Sequence, residues 1–330
     1  MAHDTPVLAA KNLQKAFPSE GEHHLFHRRM NAAVSDVSFE IYPGETLGLV
    51  GESGCGKSTV AKLLMGLEKL DAGEVYLEGQ RIDQLSPGRL RPLRPRFQMV
   101  FQDSGSSLNP RKRVVDILRE PMLYHGVAKP ATVQGRIDEL LEQVGLPKEM
   151  KHRYPHEFSG GQRQRICIAR ALSLEPKVIV LDEPVSALDV SVQAQILNLL
   201  RDLQAEMHLT YLFIGHGLGA VRYISHRIGV MYMGRLVECG DAEELFAHPA
   251  HPYTKALLDA VPVADYALRN RPRITLAGEV GEVPSSMKGC PFAPRCPMAT
   301  SACLENMPEL LPFGGMPGRT VACLRAGELR

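Results

Sequence analysis

The segment that most constrains the fold is Gly51–Thr59, which reads GESGCGKST. It follows the apolar run Thr46–Val50 and precedes a helix-like stretch, VAKLLMGL. A strand, a glycine-spaced turn ending in Gly-Lys-Ser-Thr and a helix, in that order, predict a P-loop in an α/β fold. The alternative is a glycine-rich turn with a solvated lysine. We therefore expect the chain to bind a nucleoside triphosphate, whose phosphates would meet inward-facing backbone N–H groups and the positive end of a helix.

Two side chains of this loop receive specific roles. Lys57 is predicted to reach the β and γ phosphates, and the Ser58 hydroxyl is predicted to bind Mg²⁺. Cys55 occupies a free position of the motif, and we interpret its identity as incidental. The complete set expected to contact the nucleotide here is Gly51, Ser53, Gly54, Cys55, Gly56, Lys57, Ser58 and Thr59.

A second candidate segment, Val178–Pro184, reads VIVLDEP. Its apolar run predicts a buried strand of a parallel sheet that ends in two carboxylates. We expect Asp182 to hold Mg²⁺ through water and Glu183 to polarise the attacking water, because phosphoryl transfer needs positioning and charge stabilisation. Without the P-loop, this segment would equally fit a strand that merely ends in acidic residues.

Phe158–Arg165, FSGGQRQR, leads into the helical stretch ICIARAL. Here the sequence resembles the ATP-binding cassette (ABC) ATPases, whose family signature is a Ser-Gly-Gly-Gln run. The resemblance implies that this run closes on the γ-phosphate held by the P-loop of a facing subunit, so that each chain supplies two half-sites. A Gly-Gly loop that caps a helix is the alternative. The residues concerned are Ser159, Gly160, Gly161 and Gln162.

The resemblance assigns four further positions. Gln102 would contact Mg²⁺ and couple to a membrane partner, Asp189 in SALD would lie in the turn that crosses the dimer interface, and His216 would contact the γ-phosphate and orient the water. Phe17 would stack on adenine, although an ordinary core phenylalanine fits equally. The family usually has Ser or Thr before the histidine and Asp after it, whereas this chain has Gly215 and Gly217. The effect of these glycines on turnover stays open.

Length and composition agree with this class of protein. A chain of 330 residues exceeds one typical domain. The net charge of +1 argues against a nucleic-acid partner. No apolar run reaches the roughly 18 residues needed to cross a bilayer, and the N-terminus lacks a signal-peptide pattern. We therefore expect a cytoplasmic ATPase that associates with a membrane only through partners.

The resemblance implies an α/β fold class: a P-loop cassette with a RecA-like core, an antiparallel β subdomain and a helical subdomain. We expect the nucleotide-binding domain at 1–260, with the helical subdomain at about 105–170, and a Cys-rich extension at 261–330. The charged, histidine-containing segment 18–31 interrupts the first strands. It would form either a solvated hairpin loop or a metal-binding tract, and its histidine spacing fixes no metal geometry.

GSSLNPRKRV at 105–114, SALDVSVQAQILNLL at 186–200 and HPYTKALLDAVP at 251–262 resemble the oligopeptide and dipeptide importer branch of the family. This resemblance implies an ATPase at the cytoplasmic face of the cell membrane that powers peptide uptake. Its partners would be a sister ATPase, two transmembrane permease subunits and a periplasmic or extracellular peptide-binding protein. Nickel, glutathione or antimicrobial peptide are alternative cargoes, and a phosphonate-lyase subunit or a nucleic-acid-directed cassette protein are alternative functions.

Four cysteines lie in a Pro- and Gly-rich tail. Disulfides are disfavoured in a cytoplasmic ATPase, so metal ligation by thiolates is the better interpretation. Zinc ribbons usually pair cysteines two to four residues apart, which this spacing does not show. Some members of the importer branch carry a 4Fe-4S cluster in the corresponding extension, and this resemblance favours a cluster, with zinc or no metal as alternatives. We expect replacement of Cys296 to leave ATP binding at Lys57 intact. The four residues are Cys290, Cys296, Cys303 and Cys323.

Overall fold

The computed structural model describes residues 5–18, 30–260 and 287–328. Most of the histidine-containing segment 18–31 and the first part of the expected extension, 261–286, lie outside the described residues. The chain divides into two compact units. The first is formed by Met1–Leu8, Glu40–Thr46 and Tyr76–Gly215, and the second by Ala9–Phe39, Leu47–Val75 and His216–Arg330.

The described strands, numbered in chain order, are β1 (Leu8–Pro18), β2 (Met30–Ile41), β3 (Thr46–Val50), β4 (Ala72–Leu77), β5 (Gln80–Arg81), β6 (Phe97–Val100), β7 (Val178–Asp182), β8 (Thr210–Ile214), β9 (Arg227–Tyr232), β10 (Arg235–Asp241), β11 (Leu311–Pro312) and β12 (Thr320–Val321). The α-helices are α1 (Lys57–Leu64), α2 (Pro87–Leu90), α3 (Ser104–Ser107), α4 (Val114–His125), α5 (Val133–Gln143), α6 (Gly160–Leu172), α7 (Val190–Met207), α8 (Leu218–Ile224), α9 (Ala242–Ala247), α10 (Pro252–Asp259) and α11 (Ser301–Glu305).

The first unit contains the parallel strands β6, β7 and β8, which pair in that order. Phe97 lies beside Val178, and Val178 beside Thr210. Every residue of β7 and β8 is buried, because strands inside a parallel sheet are covered on both faces. The predicted buried strand ending at Asp182 is therefore confirmed.

Helices α4, α5 and α6 pack together in the same unit. The buried positions of α5 are Val133, Ile137, Leu140 and Leu141, a spacing that places one apolar stripe on one face of a helix. Helix α4 ends at His125, and the residue that caps it is Gly126, whose left-handed φ of 71° suits glycine. Helices α4 and α5 and most of α6 fall within the range of about 105–170 where we expect the helical subdomain.

In the second unit β2, β1 and β4 lie side by side in that order. Strand β3 pairs parallel with β9, and β9 pairs antiparallel with β10. The C-terminal tail continues the same sheet, since β12 pairs with β10 and β11 with β12. Val321 lies beside Glu238 in this pairing.

A buried carboxylate anchors the tail at this edge. Glu238 is 0% exposed and accepts hydrogen bonds from the backbone N–H groups of Ala250 and His251, both at 2.9 Å. Its Oε1 also lies 3.4 Å from Nη2 of Arg319, which is 6% exposed. These contacts tie β10, the start of α10 and the tail together. Among the described residues, no helix is long and apolar enough to cross a membrane.

Candidate functional site

The predicted P-loop follows β3 and precedes α1 in the second unit. Gly51 has a φ of +155°, and a Cβ there would lie 2.2 Å from the carbonyl oxygen of Met231. Gly56 has a φ of +105°, and a Cβ there would lie 2.2 Å from the carbonyl oxygen of Ala33. Both backbone conformation and space therefore require glycine at these two positions.

Lys57 begins α1 and is 4% exposed. Its ammonium donates hydrogen bonds to the carbonyl oxygens of Gly51 at 2.8 Å and Glu52 at 2.9 Å, which holds it across the loop. Its Nζ also lies 3.7 Å from the Cys55 sulfur. Cys55 is buried beneath the loop, and this burial raises the pKa of its thiol. Its side chain therefore packs inside the protein, and its backbone N–H donates to the carbonyl oxygen of Glu52 at 3.3 Å.

Neighbouring loop residues are more open. Ser53 and Gly54 are exposed, whereas Ser58 and Thr59 are half-buried in the first turn of α1. The residue at the N-terminal cap of α1 is Gly56, which has no side chain with which to accept a hydrogen bond from the first helical turn. The start of a helix directs backbone N–H groups and the positive end of its dipole toward a bound anion.

Glu52 brings residues into the site that the sequence motifs do not reveal. Its N–H donates to the Tyr253 hydroxyl at 2.9 Å, and its carboxylate forms a bidentate ion pair with Arg295 of the tail. The two N–O distances are 2.8 and 3.0 Å. Only the position of Arg295 between two tail cysteines hinted at a role, and nothing in the sequence links it to residue 52.

The acidic strand end lies in the first unit. Asp182 closes β7 and is 4% exposed. Glu183 follows with a φ of +47°, an uncommon left-handed conformation for a residue other than glycine. Its N–H donates to the carbonyl oxygen of Ile214 in β8 at 2.9 Å, and its own carbonyl accepts from the Ser186 hydroxyl at 3.1 Å. The strand end is therefore held on both sides of Glu183.

The structure brings Gln102 to this carboxylate. Its Nε2 donates to Oε2 of Glu183 at 2.9 Å, so the two predicted site residues contact each other. The contact orients the Glu183 side chain and engages the amide nitrogen of Gln102 rather than its amide oxygen. Hydroxyl, amide and carboxylate oxygens are the ligands that Mg²⁺ prefers.

Helix α6 begins with the predicted signature. Ser159 and Gln162 form a capping box, in which the Ser159 hydroxyl accepts from Gln162 N–H at 3.3 Å and the Gln162 side chain accepts from Ser159 N–H at 3.0 Å. A Cβ at Gly161 would lie 2.5 Å from Val192 of α7, and one at Gly160 would lie 3.3 Å from Leu188. The segment therefore does cap a helix, as the alternative interpretation predicts. The close approach of Val192 explains why residue 161 is a glycine.

Asp189 caps the neighbouring helix α7. Its Oδ1 accepts from Val192 N–H at 3.0 Å and from the Ser191 hydroxyl at 2.7 Å. The hydrogen bond from Ser191, followed by that from Val192, lowers the pKa of the Asp189 carboxyl. The turn before α7 therefore presents a fixed carboxylate.

His216 lies exposed in the turn between β8 and α8. Gly217 has an ordinary φ of −79°, and a Cβ added there would meet nothing within 4 Å. The backbone therefore does not require glycine where the family usually has Asp. Phe17 is 36% exposed, with the Lys15 ammonium 5.2 Å from its ring centroid, so the core interpretation of Phe17 is wrong.

The four tail cysteines converge. All four line one small cavity of about 20 Å³, together with His251 and Phe292, and none forms a disulfide. Burial raises the pKa of Cys290 to about 11, whereas a hydrogen bond with Thr300 lowers that of Cys303. Within residues 5–18, 30–260 and 287–328, however, no three His, Cys, Asp or Glu side chains are arranged to hold a metal ion.

Comparisons with known proteins agree with this geometry. The ABC transporter family matches residues 34–186, and the oligopeptide/dipeptide transporter C-terminal region matches 237–303, beginning ahead of the boundary we expected at 261. The oligopeptide transport ATP-binding protein AppF of Bacillus subtilis is 48% identical over 98% of each chain. The glutathione import ATP-binding protein GsiA of Salmonella paratyphi A is 52% identical over 86% of this chain and 45% of its own length.

A solved dimer of the ATP-binding cassette MJ0796, bound to ADP and Pi after hydrolysis, matches with a TM-score of 0.63 and 28% identity. It covers 71% of this chain and 98% of its own. The fold is thus the α/β fold of an ABC cassette. AppF matches nearly the whole length of this chain, and the phosphate loop, signature and acidic strand end are all present. The chain therefore belongs to the ATP-hydrolysing subunits of ABC transporters, in the group that carries the oligopeptide/dipeptide C-terminal region.

Proposed function

We propose that this ATPase powers the import of di- or oligopeptides across the cytoplasmic membrane. The observation that carries the proposal is a cassette joined to a tail of the oligopeptide/dipeptide type, which packs on β10 and on the P-loop residue Glu52. The relative from Bacillus subtilis is an oligopeptide transport protein, which supports peptide cargo. Glutathione is the competing cargo, since GsiA is similar over 86% of this chain.

We propose these roles at the nucleotide. Lys57 binds the β and γ phosphates together with backbone N–H groups of the loop, and Phe17 stacks on adenine. The loop residues of this set are Gly51, Ser53, Gly54, Cys55, Gly56, Lys57, Ser58 and Thr59. Ser58, Gln102 and Asp182 would hold Mg²⁺, which would supply positive charge next to the phosphates. Glu183, held by Gln102, accepts a hydrogen bond from the attacking water, and His216 orients that water at the γ-phosphate. We also propose that the nucleotide-binding domain ends at residue 260 and that its helical subdomain extends from about residue 105 to about residue 170.

We further propose that the active form is a pair of cassettes. Ser159, Gly160, Gly161 and Gln162 of one chain would bind the γ-phosphate held by its partner, and Asp189 would lie at the interface. The dimeric form of the MJ0796 cassette supports this arrangement. The partner would be a sister ATPase, and the pair would act on two permease subunits at the cytoplasmic face, served by an external peptide-binding protein. ATP would favour the closed pair, and hydrolysis would remove that bias.

Purification from membranes tests the assembly. Tagged chain should co-purify with two polytopic subunits, and the complex in proteoliposomes should hydrolyse ATP faster when a peptide and its binding protein are present. Lys57→Ala should abolish ATP binding and this activity. Stimulation by reduced glutathione but not by peptides would move the cargo to glutathione, and absence of polytopic partners would refute the importer function.

For the tail we propose a 4Fe-4S cluster bound by Cys290, Cys296, Cys303 and Cys323. The convergence of the four thiols on one cavity supports a shared ligand. A zinc ion needs four sulfurs at about 2.3 Å from one centre, whereas a cubane cluster gives each thiolate its own iron. Anaerobically purified protein should absorb near about 400 nm and contain iron and acid-labile sulfide in equal amounts. Colourless protein with stoichiometric zinc, or metal-free protein with four free thiols, would refute the cluster.

A further inference from the structure

Glu52 connects the phosphate-binding loop to two other parts of the second unit. Its N–H is held by Tyr253 of α10, and its carbonyl oxygen accepts from the Lys57 ammonium at 2.9 Å. Its carboxylate accepts from both terminal nitrogens of Arg295. One residue therefore links the lysine that binds phosphate to a guanidinium of the C-terminal tail.

The fold of the tail fixes the position of Arg295. It ends the 3-10 turn Ala293–Arg295, which lies between Cys290 and Cys296. Its N–H donates to the carbonyl oxygen of Phe292 at 3.0 Å. The Phe292 ring is 1% exposed and packs against Tyr232 and Tyr253, with ring centroids 5.3 and 5.4 Å away. The guanidinium can reach Glu52 only while this turn is folded.

The Arg295–Glu52 pair differs from an ordinary surface ion pair. Its side chains are 10% and 24% exposed, and Nη1 of Arg295 also donates to the Tyr232 hydroxyl at 3.3 Å. A bidentate guanidinium–carboxylate pair fixes direction as well as distance, which a single lysine contact does not. Partial burial reduces the screening that makes exposed pairs weak.

We propose that Arg295 is a positioning residue for the P-loop, and that folding of the four-cysteine tail thereby regulates ATP affinity. By holding the Glu52 carboxylate, Arg295 sets the carbonyl that receives Lys57 and the loop conformation that receives phosphate. The inference rests on the proposed binding of ATP at Lys57. It replaces our expectation that the tail and the ATP site are independent, because Arg295, next to Cys296, contacts the loop directly.

Equilibrium binding of a fluorescent ATP analogue to the full chain tests the proposal. Arg295→Ala should weaken binding about tenfold, as expected when a coupled ion pair in a binding loop is lost. Arg295→Lys should restore only part of the affinity, because lysine keeps the charge but not the bidentate geometry. At saturating ATP, kcat should stay within about twofold of the wild type while KM for ATP rises. Partial unfolding would instead lower the active fraction at unchanged affinity.

The chain offers a matched control. Arg222 forms a bidentate pair with Glu243, which joins α8 to α9 in the same unit. Arg222→Ala should leave ATP affinity within about twofold of the wild type. The double variant Glu52→Ala/Arg295→Ala should bind ATP no more weakly than the weaker single variant, because both remove one interaction. Unchanged affinity in Arg295→Ala, equal losses in the Arg222 control, or additive losses in the double variant would overturn the proposal.

Cys296→Ser tests the regulatory step. Introduced alone, it should weaken ATP binding. Introduced together with Arg295→Ala, it should cause little further loss of affinity, because the Arg295–Glu52 ion pair is already absent. A full additional loss in that background would show that the tail acts by another route and would refute the role of Arg295. Wild-type protein that binds the analogue no better than Lys57→Ala would instead refute the ATP site itself, so the two failures are distinguishable.

Discussion

Replacement of Glu238 by Gln should release the C-terminal tail from the edge of its sheet. The carboxylate is 0% exposed and uses its two oxygens separately, Oε1 for Ala250 N–H and Oε2 for His251 N–H. A glutamine has one acceptor oxygen, so one buried N–H would face an amide NH₂ and lose its partner. An unsatisfied buried donor costs about 1–3 kcal/mol. The substitution is nearly isosteric, so cavity effects should be small.

The same change removes a charge beside Arg319. That guanidinium is 6% exposed, and its remaining carboxylate neighbour is Glu244, at 3.5 Å, whose side chain is 32% exposed. Removing one member of a buried ion pair costs about 3–5 kcal/mol. The two effects share one side chain and are not additive, so we expect a loss of about 4 kcal/mol in the free energy of unfolding. Domains of about 150–250 residues lose about 2–4 °C in Tm for each kcal/mol, which predicts a shift of about 10 °C.

Differential scanning calorimetry measures this shift, and reaction of the tail thiols with a disulfide reagent reports release of the tail. Glu244→Gln is the matched control, because it contacts the same guanidinium from an exposed position and should cost no more than about 1 kcal/mol. A Tm change below about 2 °C in Glu238→Gln, or equal effects of the two substitutions, would refute the reasoning that the buried carboxylate anchors the tail.

Other residues give predictions of their own. Glu183→Gln keeps an acceptor for Gln102, so ATP binding should persist while phosphate release falls by at least about 100-fold; undiminished release would remove Glu183 from its role. Ser159→Arg should prevent the closed dimer, measured by size-exclusion chromatography with ATP, whereas Ser159→Ala should lose only the helix cap, about 1 kcal/mol of stability. Burial lowers the pKa of His251 from 6.5 to about 3, so below about pH 6.5 the unfolded chain binds a proton that the folded chain does not. The contribution of this neutral imidazole is complete above pH 6.5 and falls by up to about 1.4 kcal/mol per pH unit toward pH 3. His251→Asn should reduce this slope in thermal unfolding between pH 7 and 4.5, and an unchanged slope would assign the acid sensitivity to other groups.

The sequence predicted the elements whose signals are local. Strands β3 and β7 are short apolar runs bounded by turn residues, and the structure places them at Thr46–Val50 and Val178–Asp182. The start of α6 is equally local, because the Ser159 and Gln162 side chains needed for a capping box lie within four consecutive residues. The order of these motifs along the chain sufficed to predict the fold class, since each motif has a restricted backbone context.

The exposure of single residues was less predictable. Phe17 is apolar and lies in a strand, yet it is partly exposed. Glu238 is charged, yet it is fully buried, because two backbone N–H groups and Arg319 meet its carboxylate. The groups that meet Glu238 come from other segments of the chain, at positions 250, 251 and 319. Local propensity does not contain that information.

The sequence by itself determined the local backbone structure of the phosphate loop, the acidic strand end and the signature, because glycine spacing, strand patterning and helix capping act over a few residues. Tertiary structure alone decided that Glu52 contacts Arg295, a pair separated by 243 positions along the chain. It also decided that four cysteines scattered through the tail line one cavity. Such contacts depend on how strands β10 and β12 pair and how Phe292 packs. Pairing and packing of this kind are determined by burial and hydrogen bonding between segments that are distant in sequence.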